Sequence, residues 1–179
     1  MNRFSCGRCA SRPAQTHGRG PGLAFAIFVL FASACANPVD KRIDLLIRDL
    51  DSGSPAIVDA SLRALHDLGP VAGRAVPAVA KVLKEGHPGL RPPAAIVLAR
   101  INPDGIRVLP HLKEVLADPD GPTRAQAARA VGLVEAPLDQ VTLELLGRLE
   151  KDPTPAVRAF ALWTLAVKNP AEKRYVDEL

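Results

Sequence analysis

Few residues in this chain have types and spacings that suggest chemistry. Cys6 and Cys9 form Cys-Gly-Arg-Cys, a spacing that suits a zinc or redox site, but structural zinc takes four ligands and the one remaining cysteine is Cys35. His66, His87 and His111 fall at unrelated places along the chain, so they converge on no common ligand set. The sequence has no His-Glu dipeptide, no G-x-S-x-G, no phosphate-binding P-loop and no H-E-x-x-H. No catalytic residue, no bound metal and no cofactor is therefore expected. Two features hold more promise for binding. Arg91, Arg124 and Arg158 recur at one near-constant interval, with Val58 at the matching place one interval earlier, so they read either as a ligand-binding ladder or as structural pins. Trp163, with Phe160 one helical turn before it, is an aromatic pair of the kind enriched in binding hot spots.

Charge narrows the classes of partner. The net charge of +4 comes from the first 35 residues, which hold Arg3, Arg8, Arg12 and Arg19 and no acid; the other 19 of the 23 basic residues face 19 acidic ones. Nucleic-acid binding draws its affinity from a basic surface, and a neutral remainder gives it no support, so no nucleic-acid partner is expected. Aromatic residues make up only 4% of a chain that is 47% hydrophobic, so Ala, Leu and Val must fill the core. That composition favours close-packed helices over a β-sandwich.

The leader supplies an address. Residues 1–22 are basic and rich in Gly, Pro and Ser, and an apolar run from Leu23 to Ala34 follows. That run falls well short of the roughly 20 residues that a membrane span needs. A basic region, a short apolar stretch and small residues after it read as an export signal over 1–34, and the lack of an Arg-Arg pair speaks against twin-arginine export. The run ends in F-A-S-A-C-A, which resembles the lipobox of bacterial lipoproteins, with Ala32 where Leu is usual. That resemblance implies lipidation of Cys35 and a lipid anchor in the membrane at the cell envelope. Ordinary signal-peptidase cleavage is the alternative, since Ala32-Ser33-Ala34 and Ala34-Cys35-Ala36 both fit A-x-A; it implies a periplasmic or extracellular protein. An uncleaved anchor is a third alternative, and all three place the domain outside the cytoplasm; either cleavage removes Cys6 and Cys9. Cys35 is then the last cysteine, and no intramolecular disulfide can form.

The elements that must position these residues follow from periodicity and turn signals. A tether over 35–40 leads to helices predicted at 41–50 and 55–68, with Ser54 as N-cap and Pro55 at the first helical position. Further helices are predicted at 71–84, 90–101, 106–117, 122–134, 138–151 and 155–167, and a short last one after Asn169-Pro170. The Pro92-Pro93 pair fits only in a first turn, where the amides have no intrahelical partner. Leu65, Leu98, Val131 and Leu165 keep the same spacing as Val58, Arg91, Arg124 and Arg158. A fixed period of about 33–34 residues, each holding one helix pair, marks a helical solenoid in which neighbouring pairs bury one another.

The repeated unit, D-P-x-x-x-V-R-x-x-A-x-x-x-L in its best copy from Asp152 to Leu165, is similar to HEAT repeats, in particular the short bacterial HEAT-like type shared with phycobilin lyases. The patterns of tetratricopeptide and ankyrin repeats are missing. The resemblance implies an all-α, right-handed solenoid of four helix pairs, with repeats at about 41–70, 71–103, 104–136 and 137–169 and a C-terminal cap over 170–179 within a 41–179 domain. It also implies that each Arg pairs with the acid of its turn, which fits Arg124 with Asp118, Arg158 with Asp152, and Arg91 loosely with Glu85. In HEAT proteins the second helices line the concave side. On these helices Arg63, Ile96, Arg129 and Trp163 share one register, a little over a turn beyond the ladder position, and this column makes a candidate partner surface together with Phe160. For Phe160 and Trp163 the alternative is packing beneath the last helix, against Tyr175 or Val176. The function expected is a non-catalytic protein-interaction or scaffold module at the cell envelope with a protein partner; the alternative is an enzyme or enzyme accessory of the lyase-like HEAT class.

Overall fold

A computed structural model of the chain describes residues 37–170. The expected export leader with Cys35, and the cap expected after Pro170, lie outside the described residues. Eight α-helices occur among the described residues: α1 Pro38–Leu50, α2 Pro55–Leu68, α3 Val76–Glu85, α4 Arg91–Ile101, α5 Leu109–Val115, α6 Gly121–Leu133, α7 Gln140–Leu149 and α8 Pro155–Lys168. They pair as α1–α2, α3–α4, α5–α6 and α7–α8, and the even-numbered helices stack side by side in the order α2, α4, α6, α8. This is the all-α solenoid expected from the period.

Prolines and short capping residues set the helix starts. Pro stands in the first positions of α2 through α6 and of α8, where its missing N–H removes no bond. Asp120 caps α6 and Asp139 caps α7 by accepting from the Thr123 and Thr142 amides, at 2.9 and 2.8 Å. Ser54 precedes α2 in extended conformation without a side-chain cap bond. At the other end of α6, Lys168 reaches from the next repeat and donates to the carbonyls of Val134 and Ala136. A cation there meets the negative end of the helix dipole.

Several boundaries differ from the periodic reading. Helix α1 begins at Pro38, so residues 38–40 are helical and not tether; Pro38 opens the helix and Asp40 lies in its first turn, where an acid is favoured. Residues 71–75, expected to open the third helix, belong instead to a 3₁₀-helix over Gly69–Ala75, and α3 starts only at Val76. Gly69 ends α2 with φ of 59°, a left-handed turn that glycine accepts without strain. Helix α5 is trimmed to Leu109–Val115 because the chain turns through Gly105 at φ 77°, where an added Cβ would meet Val134 at 2.9 Å.

The core is made of Leu, Val and Ala. Leu65, Leu98, Val131 and Leu165, which share the repeat position, are all buried in one continuous apolar cluster. The facing surfaces of the even-numbered helices are rich in alanine: Ala94, Ala95, Ala125, Ala127, Ala128 and Ala161 are each buried. Small side chains let helix axes approach closely. The even-numbered helices accordingly touch one another far more extensively than the odd-numbered ones do. A layer packed more closely than its neighbour forms the inner side of a curved stack, which puts α2, α4, α6 and α8 on the concave side.

Candidate binding surface and the arginine ladder

The recurring arginines sit in the first turns of even-numbered helices, where a side chain can reach the preceding turn and the next repeat alike. Arg124 does both. Its Nε and Nη2 donate to Asp152 Oδ2 and Oδ1, each at 2.9 Å, and its Nη1 donates to the carbonyls of Asp118 and Pro119 at 2.7 and 3.0 Å. Arg91 forms an ion pair with Asp118 and donates from Nε to the Leu83 carbonyl at 3.1 Å. Arg158 donates from Nη1 to the Asp152 and Pro153 carbonyls at 2.9 and 3.2 Å. The expected partners are thus corrected: Arg124 and Arg158 hold their own turns through backbone carbonyls, and Arg91 and Arg124 pair with the aspartate of the next repeat. Stacking decides this, because it brings side chains that stand most of a repeat apart in sequence into bonding distance. These pairs are mostly shielded from water, with 13% and 7% of the Arg124 and Asp152 side chains exposed. The Arg124 guanidinium, together with the Thr154 amide, holds the Asp152 carboxyl below the usual aspartate range.

The proposed partner column lies on the even-numbered layer. Arg63 is largely exposed, with 78% of its side chain in water, and pairs with Asp59 one turn earlier at 2.8 Å. Ile96 is half-buried, and Arg129 is exposed. The Arg129 guanidinium stands 5.7 Å from the centre of the Phe160 ring, which stiffens the middle of the column through a cation–π contact. Trp163 is half-buried with its indole against Gly132 of α6: a Cβ at Gly132 would overlap Cζ3 and stand 3.0 Å from Cε3. Among the described residues, Trp163 therefore packs on the preceding repeat; Tyr175 and Val176, the other partners expected for it, lie outside the described residues. Beside it, Thr164 buries its hydroxyl and donates to the Ala128 carbonyl at 2.7 Å. The sequence gives one hint of this arrangement, glycine at 132 where the preceding repeat has Ala99.

Arg63 and Ile96 line a groove of about 450 Å³ between α2 and α4, floored by Leu62 and Val97 and edged by Asp59 and His66. His66 and Ile96 also border a smaller hollow of about 180 Å³ that runs on toward Arg100 and Leu133. The groove is mixed in character. Arg63 pairs with Asp59 one turn earlier on the same helix, and His66 Nδ1 stands 3.6 Å from the Asp67 carboxylate beside it. Reactive centres need convergent titratable groups, whereas a half-apolar groove with paired charges at its edge suits a polypeptide surface. Asp59 escaped the sequence reading, though its i, i+4 relation to Arg63 was visible there.

The comparisons with known proteins agree with the architecture. The HEAT-repeat family matches residues 39–132, more than half of the chain. The protein belongs to the HEAT-repeat family. The fourth pair, α7–α8, lies beyond the matched span, yet Arg158 holds its turn as Arg124 does. Among solved structures, the chain is similar to the complex of CpcE and CpcF of phycocyanin lyase from Nostoc sp. PCC7120. The two share 22% identity over 76% of this chain and 86% of that one, with a TM-score of 0.54. At that identity the likeness is one of fold. No curated protein matches the chain.

Proposed function

We propose that the chain is a non-catalytic HEAT module that binds a partner protein along its concave layer, displayed at the bacterial cell envelope through a lipid on Cys35. The observation that supports binding over catalysis is the groove between α2 and α4, with its apolar floor and with Arg63 paired to Asp59 on the same helix. The column of Arg63, Ile96, Arg129 and Trp163 continues it across all four repeats, with Phe160 beneath Arg129. The address rests on the sequence F-A-S-A-C-A alone.

A photo-crosslinking residue at position 96, in the full-length protein in its native cell, tests the surface. One discrete crosslinked product is expected from position 96, and none from position 41 on the opposite layer. Equal products from both positions would overturn the assignment of the surface. Palmitate labelling tests the address: incorporation into the native chain and none into Cys35→Ala is expected. Equal labelling of both forms would rule out Cys35 as the lipidated residue.

A second reading, in which the module is the accessory subunit of an enzyme, is favoured by the likeness to a two-protein lyase complex. The crosslinked partner discriminates between the two. If the partner is an enzyme whose turnover changes when this chain is removed, the accessory reading holds; if its turnover is unaffected, the scaffold reading holds.

A further inference from the structure

The ladder has one gap. Arg91 and Arg124 each reach the carboxylate in the turn of the following repeat, Asp118 and Asp152. The first repeat has Val58 at the arginine position, and the step from Arg91 to Asp118, taken from Val58, lands on Glu85. The acid is thus kept where the cation is missing. Between the two lies an open cleft of about 290 Å³ that both residues line. Its floor is apolar, with Leu50, Val58, Val82 and Leu90 all buried, a surface on which the aliphatic stem of a long side chain can lie. Its rim has two acids, Glu85 and Asp51, and the lysine beside them, Lys81, is already engaged with Asp51 at 2.9 Å. Gly53 also lines the cleft, and residues 52 and 53 hold the sequence positions whose carbonyls receive Nη1 of the later arginines, 118–119 and 152–153.

The other junctions display what such a site accepts. At Arg124, a planar fork meets a carboxylate with two donors while a third nitrogen holds the turn carbonyls. A guanidinium has the five fixed donors for this, and an ammonium does not. We propose that the cleft between the first and second repeats is a receptor for an arginine side chain of a partner polypeptide, which completes the ladder from outside with Glu85 as its carboxylate. The site lies at the turn edge, apart from the groove of Arg63 and Ile96, so it stands or falls independently of that surface.

The test is a titration of the isotope-labelled full chain with blocked arginine (N-acetyl-arginine methylamide), followed through backbone amide shifts. Saturable shifts confined to Gly53, Val82, Gly86, His87 and Leu90 are expected. Blocked citrulline, of the same shape without the charge, should bind at least tenfold more weakly. Glu85→Gln should weaken arginine binding severalfold. Val58→Arg, which supplies the missing side chain from within, should abolish it and raise the melting temperature. Equal binding of citrulline, shifts unchanged in Glu85→Gln, or no saturable shift at all would each overturn the proposal. Should Val58→Arg fail to fold, the Glu85→Gln and citrulline arms decide alone.

Discussion

The most discriminating test of the ladder compares Arg124→Ala with Arg158→Ala. The two arginines occupy the same repeat position and make the same pair of carbonyl bonds, at 2.7 and 3.0 Å for Arg124 and at 2.9 and 3.2 Å for Arg158. Arg124 alone adds a forked bond to a described carboxylate, that of Asp152, in a pair of which 13% and 7% is exposed. Removing one member of a buried pair strands the other charge and typically costs about 3–5 kcal/mol. Asp152 keeps its bond from the Thr154 amide at 2.8 Å, and it sits at the edge of the stack. Arg124→Ala is therefore placed at the low end, about 3 kcal/mol. Among the described residues Arg158→Ala loses only carbonyl bonds, a loss of about 1 kcal/mol. At roughly 2–4 °C per kcal/mol for a domain of this size, the melting temperatures of the two variants should differ by about 4–8 °C. Urea denaturation followed by circular dichroism gives the free energies directly. The double variant Arg124→Met, Asp152→Leu should recover most of the loss, because an apolar pair leaves no charge stranded. Equal losses for the two single variants, or a loss at Arg124 below about 1 kcal/mol, would refute the reasoning.

The other predictions concern packing, pH and local stability. Gly132→Ala drives a Cβ into the Trp163 ring and places it 2.8 Å from Thr164 Oγ1; it should cost about 1–3 kcal/mol and shift the emission of Trp163, the chain's single tryptophan. Asp139 is held down to about 2 by hydrogen bonds from the Lys113 ammonium and then Thr142, and Asp152 is lowered by Arg124. Folded values below the unfolded one, about 3.9, mean that these carboxylates favour the folded state above about pH 4 and lose that contribution as pH falls toward about 2. Urea midpoints should therefore drop over that interval, and Lys113→Met should make the drop shallower. Hydrogen exchange should be faster in α1 and α2 than in α6 and α8, since the first junction lacks a ladder pair; equal protection throughout would contradict this.

The sequence revealed the repeat well and its wiring poorly. Periodicity of Leu65, Leu98, Val131 and Leu165 located the core face, because burial acts on each helix separately and leaves a local trace. The partner of Arg124 left no such trace. Asp118 lies shortly before it and Asp152 most of a repeat after it, and only the stacking of repeats shows that the nearer residue offers its carbonyl and the farther one its carboxylate. The setting of Trp163 was hidden for the same reason: it depends on Gly132, a glycine in the preceding repeat on another helix. Helix starts were legible to within a residue at Pro55, Pro92, Pro122 and Pro155, but not at Pro38, Pro77 and Pro110. At Gly69–Ala75, Gly69 and Pro70 stop one helix without stating that the next stretch is 3₁₀.

The ladder makes the junctions between repeats unequal, and this bears on how the solenoid can work. Arg91 ties the second repeat to the third and Arg124 ties the third to the fourth, so repeats two, three and four are fixed in series through shielded pairs. The first junction relies on Arg74 with Asp40 and Asp44 and on Lys81 with Asp51, pairs in which every side chain is at least 41% exposed. Exposed pairs contribute little and weaken with salt. Helix α2 also touches α4 less than α4 touches α6 or α6 touches α8. In a solenoid, where stability adds up junction by junction, the first repeat is thus the most loosely held, and it borders both the cleft at Glu85 and the groove at Ile96. A ligand that bridges the first and second repeats gains most there, because it supplies a connection that the other junctions already have. The two candidate sites fall at this junction because the packing between repeats is incomplete there.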